Sequence, residues 1–254
     1  MASHHEHSKH KHDHGAEGRD PGAVYSEAWV QDLVLKIQAY LQQNVDWLSI
    51  ESTKVSRVLD YACGHGTISL ALLNTLPSTT TFQGIDIHPK QVERYNASAL
   101  NESAQERMSG IQGDLANPSA ELNKPEYFDF DVAIMSMALH HCPDPAGMLE
   151  QLQRRLKKDG VLILVEGLGR KPHAHGGHQQ PHHVHHYTEE ESMIEHEIGG
   201  KIWPGFTKEY FEHSLAAAGF KDVEVRVPGI GFDVPEGGAA VGFSELVFVR
   251  GVAE

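Results

Sequence analysis

VLDYACGHG, residues 58–66, carries an apolar strand straight into a glycine-rich turn, and that junction decides the fold. Glycines at such a turn let the backbone come close to a ligand at the mouth of the following helix. The next strand ends in GIDIHP, where Asp86 can accept hydrogen bonds from both hydroxyls of a ribose. One strand later Asp114 ends IQGD. With Asp60, these acids stand at the ends of successive strands, on the edge where open α/β sheets take their ligands. A nucleoside fits that edge. A nicotinamide dinucleotide fits less well, because its fingerprint asks for a third small residue where Ser69 stands and has no acid at the place of Asp60. A carboxylate beside a cofactor's amino group makes sense, whereas one beside a pyrophosphate does not.

Outward from this junction, short apolar segments alternate with helical ones, the pattern of a mostly parallel sheet covered on both faces. Strands are expected at Arg57–Tyr61, Phe82–Asp86, Met108–Gln112, Phe130–Met135 and Gly160–Glu166, and later at Lys221–Val227 and Glu245–Arg250. A helix is expected over Pro145–Lys157, with Asp144 as its cap and Leu149, Leu152 and Leu156 as its buried stripe. Another runs over Thr207–Ala218 and stops at Gly219. The expectation is an α/β Rossmann-like fold: a seven-stranded, mostly parallel sheet with helices on both faces, a helical N-terminal lid and a His-rich insertion.

The rest of the chain fits one domain. Residues 1–20 hold almost no large apolar side chain and read as a disordered His-rich tail. Residues 21–254 read as a single domain, in which 21–50 form the lid, with a helical stripe at Val30, Leu33, Val34, Ile37 and Leu41. Residues 168–204 form a cap of low apolar content. No apolar stretch is long enough for a membrane span, and none follows the N-terminal basic residues as a secretory signal would require. Cys63 and Cys142 suggest a reducing compartment, so a cytoplasmic enzyme is expected. A net charge of −14 argues against nucleic acid as a partner, since phosphate binding relies on clustered Lys and Arg.

The stretches VLDYACGHG, GIDIHP, GDLANP, FDVAIMSMALHHCPDP and LKKDGVLILVE together resemble the class I S-adenosylmethionine-dependent methyltransferases, of the small-molecule type related to the ubiquinone and menaquinone methyltransferases. FTKEYFEHSLAAAGFKDVEV, residues 206–225, resembles the family's later helix and sixth strand. The resemblance implies that Asp60, Ala62, Gly64 and Gly66 hold the methionine part of S-adenosyl-L-methionine, and that Asp86 holds its ribose. It implies that Ile87 flanks the adenine, with Asp114 near the exocyclic amine and Leu115 beside it. Met135 is expected along the cofactor's other side, and Tyr25 matches an aromatic that the family's lids lay against the cofactor.

Methyl transfer is an in-line displacement at a carbon already activated by a sulfonium, so alignment and desolvation supply most of the acceleration. A base is needed only for an acceptor that arrives protonated. His140 and His141, in ALHHCPD after the fourth strand, are the candidates for acceptor contact and base catalysis. The expected partner is a small-molecule acceptor. Two other classes of function fit the fold: a cofactor-binding or regulatory partner that methylates nothing, and a metal-handling protein. The second is suggested only by the crowding of the 19 histidines at His4–His14 and His173–His186. Such tracts offer imidazoles without closing a metal site, so no metal residue is assigned.

Overall fold

In a computed structural model of the chain, strands with apolar residues on both faces lie in parallel, as strands sandwiched between helices do. The structure describes residues 22–48, 56–169, 194–198, 201–232 and 243–254. The strands are β1 (Arg57–Tyr61), β2 (Thr81–Asp86), β3 (Met108–Gln112), β4 (Phe130–Ser136), β5 (Leu156–Gly169), β6 (Ile194–Ile198), β7 (Lys201–Gly205), β8 (Phe220–Arg226) and β9 (Phe243–Ala253). Seven of them form one sheet in the order β3-β2-β1-β4-β5-β9-β8. β9 pairs antiparallel with both β5 and β8. The chain leaves β1 toward β2 and β3 on one side and comes back to β4 on the other, so the ends of β1 and β4 flank a crevice.

The helices α1 (Ala28–Gln43), α2 (Thr67–Leu73) and α3 (Pro89–Asn101) cover one face of the sheet, and α4 (Pro145–Gln153) and α5 (Lys208–Ala217) cover the other. Alternation along each strand feeds two cores. Val58, Val132 and Ile134 face the first three helices, while Leu59, Ala133 and Met135 face the other two. The caps follow the sequence: Asp144 accepts from Gly147 N at 2.9 Å, and Thr207 Oγ1 accepts from Tyr210 N at 3.1 Å. Gly219 takes a φ of +86° beyond α5.

Two expectations are corrected. The helix read over Pro145–Lys157 stops at Gln153, because the buried Arg155 turns inward to donate to Leu122 O and Tyr127 O. β5 therefore starts at Leu156, ahead of Gly160, and takes a register shift against β4 with Asp159 at a φ of +60°. Part of the expected cap is an antiparallel hairpin of β6 and β7, which no alternation in the sequence announced.

The expected N-terminal lid divides into a helix packed on the sheet and a short turn ahead of it. α1 buries Val30, Leu33, Ile37 and Leu41, and its Gln38 and Gln42 donate to Thr67 O and Ala71 O of α2 at 3.1 and 2.9 Å. Lys36 Nζ ties it to Gly231 O at 2.9 Å. Only the single 3-10 turn Ala23–Ser26 ahead of α1 buries no residue. Residues 1–20 and the histidines at 173–186 lie outside the described residues. The feet of the segment after β5 are joined, since Gly169 N donates to Phe206 O at 3.2 Å beside a Leu168–Phe206 bridge.

Candidate cofactor and acceptor site

Between β1 and α2 the backbone bends through a run of left-handed residues, with φ of +56° at Ala62, +53° at Gly64 and +97° at Gly66. Gly66 N donates to Cys63 O at 2.8 Å, which folds the turn back toward the sheet. Gly64 is glycine for a second reason: a Cβ there would stand 2.5 Å from the Tyr25 hydroxyl. The turn is thus bare backbone under a tyrosine. Asp86 pins it from β2, accepting from Gly64 N and His88 N, each at 2.9 Å, on different carboxylate oxygens.

Asp60, at the end of β1, is 2% exposed. Its Oδ2 accepts from Ser69 N at 3.3 Å and Ser69 Oγ at 2.7 Å. Burial pushes its pKa up to about 7, against the pull of the Ser69 hydrogen bonds. A buried acid lining a cavity is neutralised either by a proton or by a cation that enters beside it. The cavity, of about 80 Å³, is lined by Tyr25, Ile37, Asp60, Ala62, Ser136 and Met137 among others. Burial and the two acids Asp86 and Asp60 push the Tyr25 phenol up to about 12. Its ring meets His65 edge-on, with centroids 4.2 Å apart.

The remaining expected residues divide. Ile87 is 56% exposed beyond the end of β2. Asp114 closes its own loop, accepting from Ala116 N at 2.8 Å and Asn117 Nδ2 at 3.0 Å. Leu115 is fully buried, with its N–H donated to Tyr61 Oη at 3.1 Å. Met135 points into the core on the other face, because side chains alternate along β4; Ser136 and Met137 line the cavity instead. Met137 holds a φ of +50° there.

From Met137 the chain turns through Leu139–His141, and here the sequence reading missed a residue. Glu166, wholly buried in β5, accepts from Ala138 N at 2.9 Å and Leu139 N at 2.6 Å through Oε1. Its Oε2 lies 2.8 Å from His140 Nδ1. The signal was an acid closing the apolar run VLILVE. The ring of His141 lies 4.1 Å from that of His140; the lost hydration of the ring and then the neighbouring His140 push its pKa down. Cys63 is buried and its thiol is pushed far up by burial, so it packs rather than reacts. Among the described residues, no group of three or more His, Cys, Asp and Glu is placed to hold a metal.

Comparison with solved structures places this architecture. The [4+2]-cyclase SpnF superposes with a TM-score of 0.59 over 91% of this chain and 95% of its own, at 16% identity. A SAM dependent methyltransferase from Aquifex aeolicus gives 0.53 over 88% and 98%, also at 16% identity. These likenesses speak for the fold alone. The methyltransferase domain family's model matches residues 34–225, and the chain belongs to that family. Among curated relatives, 27-O-demethylrifamycin SV methyltransferase of Amycolatopsis mediterranei is 36% identical over 44% of this chain and 39% of its own. Ubiquinone biosynthesis O-methyltransferase of Actinobacillus pleuropneumoniae is 31% identical over 49% of each. The chain spans about two-fifths to half the length of the curated relatives it matches.

Proposed function

We propose that this protein binds S-adenosyl-L-methionine at the Asp60–Gly66 turn and transfers its methyl group to a small-molecule acceptor in the cytoplasm. The observation that carries this is Asp60: a buried carboxylate, pushed to about 7 by burial, facing a cavity beside a turn of bare glycine backbone. Its chemistry fits the α-ammonium group of the cofactor. Asp86, whose oxygens retain lone pairs after accepting from Gly64 and His88, fits the ribose, and exposed Ile87 fits one face of the adenine.

Once bound, the cofactor supplies a sulfonium methyl carbon, which an acceptor lone pair takes in line while the carbon–sulfur electron pair stays with sulfur. The protein's own residues align and dry the site. Tyr25 and its turn close over the cradle. His140 takes the acceptor's proton. Glu166 serves as its positioning residue: with the carboxylate on Nδ1, the neutral ring carries its proton there and presents Nε2 as the base.

The test is incubation with methyl-labelled S-adenosylmethionine and an extract of the source organism, with identification of the labelled product. A labelled small molecule is expected. Absence of calorimetric binding of both the cofactor and S-adenosylhomocysteine would overturn the assignment.

A further inference from the structure

Asp60 of β1, Gly84 of β2 and Gly110 of β3 are register partners, so they form one row across three parallel strands and present the same face to α3. Two glycines side by side in strand interiors weaken a sheet unless something fills the space above them. Here Tyr95 of α3 fills it. A Cβ at Gly84 would stand 2.8 Å from Tyr95 Cζ, one at Gly110 2.9 Å from Cδ1, and one at Gly66 3.4 Å from Cδ2. The trough is cut to a tyrosine, and Tyr95 is wholly buried in it.

A phenylalanine would satisfy that packing, so the hydroxyl calls for its own account. Tyr95 Oη lies 2.7 Å from Ser69 Oγ, itself wholly buried, and Ser69 Oγ lies 2.7 Å from Asp60 Oδ2. Serine has one proton to give, and an ionised Asp60 can only accept. Ser69 therefore donates to Asp60 and accepts from Tyr95, and the polarity of the chain is fixed outward from α3. Each bond in such a chain polarises the next.

We propose that Tyr95 and Ser69 are positioning residues that hold Asp60 ionised and aimed for the α-ammonium group of the cofactor. This rests on the cofactor reading given above. The groups around Asp60 make the relay necessary. Asp86 from β2 adds negative charge, while Cys63 from the turn and Tyr25 from the 3-10 turn are titratable groups whose own ionisation Asp60 opposes, as it opposes that of Tyr95. Before the ligand arrives, the hydrogen bonds from Ser69 work against burial to keep the carboxylate charged.

The experiment is calorimetric titration of wild type, Tyr95→Phe and Ser69→Ala with S-adenosylhomocysteine at about pH 6 and about pH 8. 5′-Methylthioadenosine, which keeps the nucleoside and thioether but has no amino acid, is the second probe. Wild-type affinity for S-adenosylhomocysteine should rise with pH, by up to about tenfold per unit below the Asp60 midpoint. Ser69→Ala should lose roughly tenfold or more at the acidic pH and less at the alkaline one, and Tyr95→Phe about threefold in the same sense. Methylthioadenosine should bind all three proteins alike at both pH values. Tyr95→Phe keeps the ring in its trough, so it remains informative if Ser69→Ala folds poorly. Equal losses for both ligands, or a ratio of affinities between the two pH values that is the same in Tyr95→Phe as in wild type, would reduce the pair to core packing and overturn the proposal. If wild type binds neither ligand, the cofactor reading itself falls.

Discussion

Glu166 accepts two backbone N–H groups on one oxygen and faces His140 with the other, so it shapes the Leu139–His141 turn and fixes a tautomer at once. Glu166→Gln separates these duties. The amide oxygen can still accept from Ala138 and Leu139, but the amide nitrogen now meets Nδ1 as a donor and sends the ring proton to Nε2. For an acceptor that must lose a proton, turnover should fall by about 10²–10⁴-fold with cofactor affinity nearly unchanged, as measured by single-turnover kinetics. Unchanged turnover would leave the pair a structural one. The acids at the strand ends were legible because spacing alone sets them on one edge. Glu166 was not, since its role depends on a loop folding back onto β5. Ser69 entered the sequence reading only as a mismatch to a dinucleotide fingerprint, and its bond to Asp60 exists only once α2 has turned.

At the scale of elements, α1 is clasped by α2, the sheet and Gly231, which leaves the turn Ala23–Ser26 to do whatever moving the cradle needs. The cavity beneath it, of about 80 Å³, holds only a few waters, so a cofactor whose amino-acid end enters beside Asp60 would move that turn. Tyr25→Ala is expected to speed both association and release of S-adenosylhomocysteine by roughly fivefold or more, followed in a stopped-flow instrument through the fluorescence of the neighbouring Trp29. Equal rates would show that the turn is no gate. The helix itself was legible from its stripe; that this face packs on α2 and the sheet was not, because periodicity shows which face is buried and never against what. The same limit hid the end of α4, which an inward-turning arginine decides, and the face of Met135, which a one-residue step reverses.

For the whole molecule, a ligand that binds only the folded state adds stability by mass action. S-adenosylhomocysteine at about a hundred times its Kd adds about 2.7 kcal/mol and should raise the melting temperature by roughly 5–10 °C in a thermal-shift assay, while a nicotinamide dinucleotide should leave it unmoved. The reverse pattern would return the glycine turn to dinucleotide binding. The strand order was legible only as a class, since sequence gives alternation but not which strand lies beside which.

The joined feet at Leu168–Phe206 bear on how such a chain can change. A segment whose two ends already touch closes its own loop, and lengthening it costs only the slow logarithm of its length. The sheet therefore does not feel what is spliced in there. The length and composition of that segment and the integrity of the fold become separately adjustable, and the region can be rewritten many times over while the sheet stays as it is.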